Sequence, residues 1–262
     1  MPELPEVHNF QRYFDETSVG KTIQSVEVHD DKIIRNLPGV AFADALTKRT
    51  ITGSLRRGKY LFAQLDNRHD VLLHFGMTGD LNYYQAPEDR SKYERFAFIF
   101  EEGDRLGFDD PRKFARILYL EDREAYINEI KLGPDALDIT PDYLIEQMGN
   151  RRTTLKGFLL DQSKVAGIGN LYADEICYRS RVFPGLPVNQ LTAEEKQKVA
   201  EQLIEIMTYA TENAPYYKDY PDDWFWHVWR KEGLSGPEGI GEVKVTKVAG
   251  RTTYYVSEWQ RK

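Results

Sequence analysis

The sequence predicts an α+β fold in two domains: an N-terminal antiparallel β-sandwich with flanking helices, and a C-terminal helical domain that ends in a β-hairpin. Two observations support this prediction. Short β-rich runs dominate roughly the first half of the chain, and longer segments with helical periodicity dominate the rest. The 262 residues suffice for two domains of ordinary size. We expect the boundaries at residues 1–131, 132–232 and 233–262, the last range being the hairpin.

The first domain is predicted to begin with a helix and to continue in strands. Val7, Phe10 and Phe14 recur at helical spacing after an acidic start, which indicates an amphipathic helix. Clusters of Gly, Asn and Asp separate the β-rich runs that follow. The predicted strands are residues 22–28, 60–65, 71–75, 95–100 and 115–120. Short strands at this spacing are typical of an antiparallel sandwich or barrel.

The second domain is predicted to be mainly helical. Thr140 followed by Pro141 is typical of a helix start. Residues 243–259 alternate around Ala249 and Gly250, which indicates a β-hairpin. The other helical patterns cover residues 153–160, 171–181 and 193–213. An apolar stripe along the last of these patterns predicts packing against a core.

Composition excludes several classes of protein and site. No run approaches the roughly 18 consecutive apolar residues of a membrane span. No basic and then apolar leader is visible, so we expect a cytoplasmic protein. The single Cys177 excludes a disulfide framework and a four-cysteine zinc site, and the five histidines show no metal-ligand spacing. We therefore expect no metal and no cofactor.

The net charge of -7 argues, taken globally, against a nucleic-acid-binding protein. The charge is unevenly distributed, however. Residues 147–191 hold six bases and three acids, and residues 244–262 hold five bases and one acid. Residues 121–146 hold eight acids and two bases. This distribution predicts one basic face on an otherwise acidic protein, with weak non-specific affinity for DNA.

The first residues carry a potential nucleophile. If Met1 is removed, Pro2 becomes a free secondary amine, and an α-amino group titrates near about 8. An unprotonated amine of this kind can attack an electrophilic carbon. Its adduct with a sugar aldehyde carbon is an iminium ion that has no proton to lose from nitrogen, so it favours elimination at neighbouring carbons. Glu3 and Glu6 either supply acid–base catalysis beside it or stabilise the positive end of the first helix.

Six short segments share their content and order with one protein family. They are residues 1–7 (MPELPEV), 57–61 (RGKYL), 74–79 (HFGMTG), 110–114 (DPRKF), 167–173 (GIGNLYA) and 250–255 (GRTTYY). Together they resemble the formamidopyrimidine-DNA glycosylase (Fpg/Nei) family of base-excision repair enzymes, over essentially the whole chain. Leu4 and the run Asn170-Leu171-Tyr172 resemble the Fpg branch more than the Nei branch.

The resemblance implies a bifunctional DNA glycosylase and abasic-site lyase that acts as a monomer on damaged double-stranded DNA of the bacterial nucleoid. It implies removal of oxidised or ring-opened purines through a Schiff base, followed by β,δ-elimination. Pro2 would be the nucleophile, Glu3 would move protons during ring opening, and Glu6 would support the site. Lys59 and Arg251 would hold phosphates beside the lesion.

The resemblance also implies an intercalating group. A flipped nucleotide leaves a hole in the base stack, and Met77 or Phe114 would fill it as an apolar wedge. Arg112 would hydrogen-bond the orphaned partner base, since its guanidinium is a planar fork of donors. His74 lies in a matching segment, and the sequence leaves it open between a DNA contact and a structural histidine.

In the second domain the resemblance implies a helix–two-turns–helix element. Gly167 and Gly169 permit tight turns, and Asn170 is a good helix N-cap. Such a turn presents backbone N–H groups to a phosphate, and Asn170 would contribute directly. Lys156 is expected as a further DNA contact.

The hairpin departs from the pattern of zinc-bearing family members, which end in a four-cysteine finger. Leu234, Ser235, Val256 and Trp259 stand roughly where those cysteines would fall. We therefore predict a zincless finger held by packing. The residues expected to pack are Val243, Val245, Val248, Tyr255, Val256 and Trp259.

The aromatic segment 213–229 replaces the loop that closes over the flipped base in Fpg-type members, and it follows that loop poorly. The segment either stacks on a base or forms a small core, and we favour the core. Two alternatives to purine excision stay open. One is the same chemistry on oxidised pyrimidines or on bulky, alkylated or crosslinked bases, and the other is a non-catalytic damaged-DNA-binding protein.

Overall fold

A computed structural model describes residues 2–214 and 217–262 of the chain. It divides into two compact units, Met1–Ile130 and Lys131–Lys262. Antiparallel sheets form the first unit and helices dominate the second, which confirms the predicted α+β class. Within the described ranges, no helix is long and apolar enough to cross a bilayer.

The first unit contains two four-stranded antiparallel sheets and three helices that flank them. The strand orders are β2-β3-β4-β8 and β1-β6-β7-β5. The elements are α1 (Leu4–Ser18), β1 (Ile23–Val28), α2 (Gly39–Leu46), β2 (Ile51–Arg57), β3 (Tyr60–Leu65), β4 (Asp70–His74), β5 (Asp80–Tyr84), β6 (Glu94–Phe100), β7 (Arg105–Asp109), β8 (Arg116–Leu120) and α3 (Arg123–Glu129).

Side chains from both sheets and from α1 form one hydrophobic core, so the sheets pack as the two layers of a sandwich. Three aromatic rings illustrate the packing. Phe75, directly after β4, stacks on Phe108 of β7 with ring centroids 5.5 Å apart. Phe10 of α1 stacks on the same Phe75 ring at 4.2 Å. These contacts fix α1, and with it the residues that precede it, against the sandwich.

The five predicted strands of the first unit are all present, with ends shifted by at most one residue. The sequence analysis missed β2, β5 and β7, together with helices α2 and α3. Strands β2 and β5 lie at sheet edges, and they carry polar residues or glycine where an inner strand carries apolar ones. Their pattern is therefore weaker than the alternation expected of a strand.

The second unit consists of helices followed by a hairpin. Thr140, Thr154 and Thr192 each cap a helix, with the hydroxyl accepting from the backbone N–H three residues later. The predicted stripe of α7 is buried. The elements are α4 (Pro141–Met148), α5 (Leu155–Leu160), α6 (Asn170–Arg179), α7 (Ala193–Asn213), α8 (Phe225–Val228), β9 (Val243–Val248) and β10 (Arg251–Val256).

The predicted hairpin is formed by β9 and β10. Ala249 and Gly250 both have positive φ (50° and 73°), as a two-residue turn that matches the twist of the strands requires. Val243 and Val256 pack with Tyr178 of α6 and Phe225 of α8 in a small core. Of the residues expected to pack, Val243, Val248, Tyr255 and Val256 are buried. Val245 and Trp259 are only half-buried.

The aromatic segment before the hairpin forms a core, as we favoured. Tyr220, Trp224, Phe225 and Trp226 are buried. The ring of Trp226 lies edge-on to that of Tyr220, with centroids 4.6 Å apart. Tyr216, another aromatic residue of this segment, lies outside the described residues.

Candidate functional site

The N-terminal residues are held by the first turn of α1. Glu3 is the N-cap residue of the helix and is buried, whereas Pro2 and Glu6 are half-buried. The Glu6 carboxylate accepts a hydrogen bond from the backbone N–H of Glu3, at 2.7 Å. This bond, from the N-cap N–H to a side chain three residues later, is one half of a capping box. It fixes the backbone next to Pro2. Two carboxylates thus lie within four residues of the potential nucleophile.

Lys59 and His74 lie in the sheet β2-β3-β4-β8. Lys59 is in the two-residue turn between β2 and β3, and its side chain is only 7% exposed, so it is not a solvated surface charge. Burial, together with the positive charges of Arg116 and Lys59, lowers the pKa of His74 to about 4. His74 is therefore neutral at physiological pH. Its Nδ1 accepts from the Gly76 N–H at 3.3 Å, which leaves Nε2 carrying the proton as a donor.

Two loops of the first unit present the residues of the predicted intercalating group. Met77 and Phe114 are 43% and 51% exposed, unusually high values for such apolar side chains. Arg112 is exposed as well, and its guanidinium lies 4.9 Å from the centroid of the Phe114 ring. An exposed apolar pair beside a planar donor matches the geometry of a wedge that also reads a base. The loop of Met77 lies against the loop of the other two, because Gly76 approaches the Phe114 backbone closely and the Thr78 hydroxyl accepts from the Arg112 N–H at 3.3 Å.

The buried carboxylate of Asp110 links these loops. Oδ1 accepts from the Thr78 hydroxyl at 2.5 Å and from the Arg112 N–H at 3.2 Å. Oδ2 accepts from the Ala115 N–H at 2.8 Å. Asp110 thus joins the two loops that carry Met77, Arg112 and Phe114. Asp110 belongs to one of the six matching segments, but no role was predicted for it, because nothing in the sequence shows which backbone groups a carboxylate will contact.

In the second unit, Asn170 opens α6. Gly169, not Asn170, is the N-cap residue, which corrects the expected capping role. The Asn170 amide instead donates to the carbonyl of Thr252 at 3.2 Å. The turn before the helix is held by Gln162. This side chain donates to the Ile168 carbonyl at 2.9 Å and accepts from the Gly167 N–H at 3.0 Å.

Lys156 was expected to contact DNA, and its position argues against that role. The side chain is 0% exposed. Its ammonium donates to Asp174 Oδ1 at 2.5 Å, to Thr253 Oγ1 at 2.9 Å and to the Thr252 carbonyl at 3.3 Å. A charge enclosed by three acceptors has no donor directed at solvent. Lys156 instead joins α5, α6 and β10.

Asp174 completes this buried pair. Burial raises its pKa to about 6, against the opposing attraction of Lys156 and Arg230. The Tyr254 N–H lies 3.5 Å from Oδ2, and the Arg230 guanidinium lies 3.7 Å from the same oxygen. Asp174 is a second residue that the sequence analysis missed.

Arg251 is exposed at the first position of β10, directly after the turn. The next carbonyl, that of Thr252, accepts from both Asn170 and Lys156. The tip of the hairpin is therefore tied to the start of α6. The structure thus places Asn170 and Arg251 near each other in the second unit.

Comparison with known proteins gives this arrangement a context. Residues 1–117 match the model of the formamidopyrimidine-DNA glycosylase N-terminal domain, and residues 132–217 match that of the formamidopyrimidine-DNA glycosylase H2TH domain. The chain belongs to the formamidopyrimidine-DNA glycosylase family. The resemblance seen in the six segments is confirmed, and the zincless finger stays a prediction.

Relatives of the formamidopyrimidine-DNA glycosylase family match the chain from end to end. The protein of Desulforamulus reducens is 33% identical over 275 residues, covering 100% of this chain and 99% of the relative. The protein of Heliobacterium modesticaldum is 34% identical over 282 residues, covering 100% of this chain and 100% of the relative.

Solved structures of the family are similar throughout. Lactococcus lactis formamidopyrimidine-DNA glycosylase, bound non-covalently to DNA containing an abasic site, has a TM-score of 0.90 and 27% identity, with 99% of this chain and 100% of that chain covered. MutM in complex with DNA containing carbocyclic 8-oxo-G has a TM-score of 0.91 and 26% identity, with both chains fully covered.

Proposed function

We propose that this chain is a bifunctional DNA glycosylase and abasic-site lyase of base excision repair. The observation that carries the proposal is the N-terminus: Pro2 precedes a buried Glu3 whose backbone is fixed by Glu6. A secondary amine held beside two carboxylates has what nucleophilic catalysis at a sugar carbon requires. Family membership over the whole chain supports the same reaction.

The chemistry begins once Met1 has been removed. The Pro2 nitrogen forms a bond to C1′ of the deoxyribose while the glycosidic bond breaks, and the base leaves with a proton. The sugar ring opens to an iminium ion, with Glu3 moving the proton at the ring oxygen. The iminium makes the proton on C2′ acidic. Loss of this proton breaks the C3′–O bond in β-elimination. Loss of the C4′ proton then breaks the C5′–O bond in δ-elimination, and hydrolysis of the adduct returns the free amine.

The remaining predicted residues hold the DNA. Lys59 and the neutral His74 Nε2–H are suited to phosphate oxygens beside the lesion, and Asn170 and Arg251 are suited to phosphates bound by the second unit. Met77, Arg112 and Phe114 would occupy the space that the flipped nucleotide leaves, which is supported by their exposure and by the contact between Arg112 and Phe114. Lys156 is excluded from this set because it is buried.

We propose oxidised or ring-opened purines as the substrate class and the bacterial nucleoid, in the cytoplasm, as the location. The named ligands of two similar structures support the substrate class. One is the carbocyclic 8-oxo-G complex of MutM, and the other is a Lactococcus lactis variant bound to DNA containing Fapy-dG.

Borohydride trapping tests the chemistry. Protein with Met1 removed, mixed with a duplex containing an abasic site, should give a covalent complex after reduction. Protein that keeps Met1, whose Pro2 nitrogen is a tertiary amide and cannot attack C1′, should give far less of this complex while still binding the duplex in a gel-shift assay. Glu3→Gln should bind but slow both trapping and cleavage. Binding without any trapped species in the unmodified protein would favour a non-catalytic damaged-DNA-binding protein.

A panel of duplexes tests the substrate class. We expect faster excision of 8-oxoguanine and formamidopyrimidine lesions than of oxidised pyrimidines or bulky, alkylated or crosslinked bases. If the ranking is reversed, the proposed chemistry stands, but the substrate class is oxidised pyrimidines or bulky, alkylated or crosslinked bases.

A further inference from the structure

Residues 259–262, which follow β10, form what we call the post-hairpin segment. Its backbone pairs with the chain that follows α6. Arg261 donates its N–H to the Arg181 carbonyl at 2.9 Å and accepts from the Phe183 N–H at 2.8 Å. These bonds make a short parallel bridge between Val182 and Arg261. The segment is therefore bonded to the body of the second unit and is not a loose extension of the hairpin.

Gln260 of this segment is buried and joins two elements through one side-chain amide. Its Oε1 accepts from the N–H of Val256, the final residue of β10, at 2.8 Å. Its Nε2 donates to the carbonyl of Val182 at 3.0 Å. Both bonds lie in the interior, so removing the amide leaves a buried donor and a buried acceptor unpaired.

Trp259 adds an aromatic contact to the same region. Its indole N–H donates to the Tyr178 carbonyl at 3.2 Å, and the two rings stack with centroids 5.9 Å apart. The Arg181 guanidinium lies 4.0 Å from the Trp259 ring centroid, within cation–π range. Both contact residues belong to α6 or to the chain directly after it.

Arg261 extends the attachment to α7. Its guanidinium pairs with the Glu195 carboxylate, with one N···O distance of 2.6 Å, and donates to the Gln190 carbonyl at 3.1 Å. Glu195 lies in the first turn of α7. The post-hairpin segment thus contacts α6, the chain after it, and α7.

The hairpin needs such an attachment. A two-stranded hairpin is marginally stable in water on its own. Beyond its packing against Tyr178 and Phe225, it is held near the tip at Thr252 and, at the opposite end, through the post-hairpin segment. Arg251 lies at the tip, next to the attachment at Thr252.

We propose that the post-hairpin segment is a clasp, acting chiefly through Gln260 and Trp259, that positions the hairpin and with it Arg251 for the lesion-flanking phosphate. These residues are positioning residues that do not touch the substrate. The inference deepens the proposed function and rests on it for the role of Arg251. The clasp itself rests on the contacts above.

Hydrogen exchange tests the clasp without any DNA. In Gln260→Ala, the amides of β9 and β10 should exchange at least about tenfold faster than in the unmodified protein, while those of α7 stay unchanged. The matched control is Gln197→Ala, an exposed α7 glutamine that bonds Glu201, and it should leave hairpin exchange unchanged. Trp259→Phe keeps a ring but loses the indole N–H, so it should give a smaller acceleration of the same amides. Unchanged exchange in both Gln260→Ala and Trp259→Phe would overturn the clasp.

A double-mutant cycle tests whether the clasp acts through Arg251. Gln260→Ala should lower kcat/KM on abasic-site duplex at least about tenfold in the unmodified background, and less than about twofold in an Arg251→Ala background. An equal loss in both backgrounds would show that the clasp does not act through Arg251. If the unmodified protein fails to cleave the duplex, the proposed function fails, and hydrogen exchange still decides the clasp.

Discussion

Replacing Lys156 with Met should destabilise the second unit in a pH-dependent way. Lys156 and Asp174 are both fully buried, with their charged atoms 2.5 Å apart. Removing one partner of such a pair typically costs about 3–5 kcal/mol, because the other charge is left without compensation. Met has a similar length and fills the same space, so the loss reports the ion pair more than a cavity.

The pH dependence follows from Asp174. Burial raises its pKa from 3.8 to about 6, so the folded state binds this proton more tightly than the unfolded state does. The carboxyl therefore lowers stability as pH rises through this window, by about 3 kcal/mol in total. Without Lys156 its pKa should rise further. At about pH 8 the folded Lys156→Met variant must then either keep a buried carboxylate without a partner or bind a proton, and both cost free energy. At about pH 5 Asp174 is neutral in the variant and in the unmodified protein.

Urea unfolding followed by tryptophan fluorescence measures this difference selectively, because all four tryptophans belong to the second unit. We expect a loss of about 3–5 kcal/mol at pH 8 and of about 1 kcal/mol at pH 5. Adding Asp174→Asn to the variant should remove most of the pH dependence. Lys198→Met, on α7, should change stability by less than about 0.5 kcal/mol. An equal loss at both pH values, or a loss below about 1 kcal/mol at pH 8, would refute the reasoning.

Three further predictions concern the first unit. Asp110→Ala leaves the buried Ala115 N–H and the half-buried Thr78 hydroxyl without this acceptor, so calorimetry should show the first unit losing about 3 kcal/mol. A loss near zero would mean that the two loops do not depend on this carboxylate. Phe114→Ala should change the free energy of unfolding by less than about 0.5 kcal/mol, because the ring is exposed. It should nevertheless weaken binding of abasic-site duplex by roughly 1–3 kcal/mol in a fluorescence titration. Met77→Ala should act in the same direction. Because the pKa of His74 is about 4, the pH profile of kcat/KM should show no limb near about pH 6.5 from this residue. A limb near that pH that disappears in His74→Gln would contradict this assignment.

Much of the fold could be predicted because its strongest elements follow local rules. The helix α7 was predicted with its full extent from its helical periodicity and apolar stripe. The hairpin was predicted from alternation around Ala249 and Gly250. The missed strands β2 and β5 are edge strands that carry polar residues or glycine at positions where a buried strand carries apolar ones. Their own residues therefore show little of the alternation that predicts a strand.

In the candidate site too, some residues were predicted from the sequence and others were understood only from the structure. Met77, Arg112 and Phe114 were grouped by matching a family pattern, and the structure places them together at one surface. Lys156 was also predicted as a DNA contact. The structure buries its ammonium beside Asp174, and no local sequence pattern predicts that burial.

By itself, the sequence determined the two-domain α+β class, the family and the residues with reactive chemistry. These properties reside in side-chain identity and in periodicity along the chain, which can be read without coordinates. The tertiary structure alone decided what holds those residues in place: Asp110 between the wedge loops, Lys156 and Asp174 beneath the hairpin, and Gln260 at its base. Each of these acts through hydrogen bonds to backbone groups or side chains of other elements. Such partners become neighbours only when the chain folds.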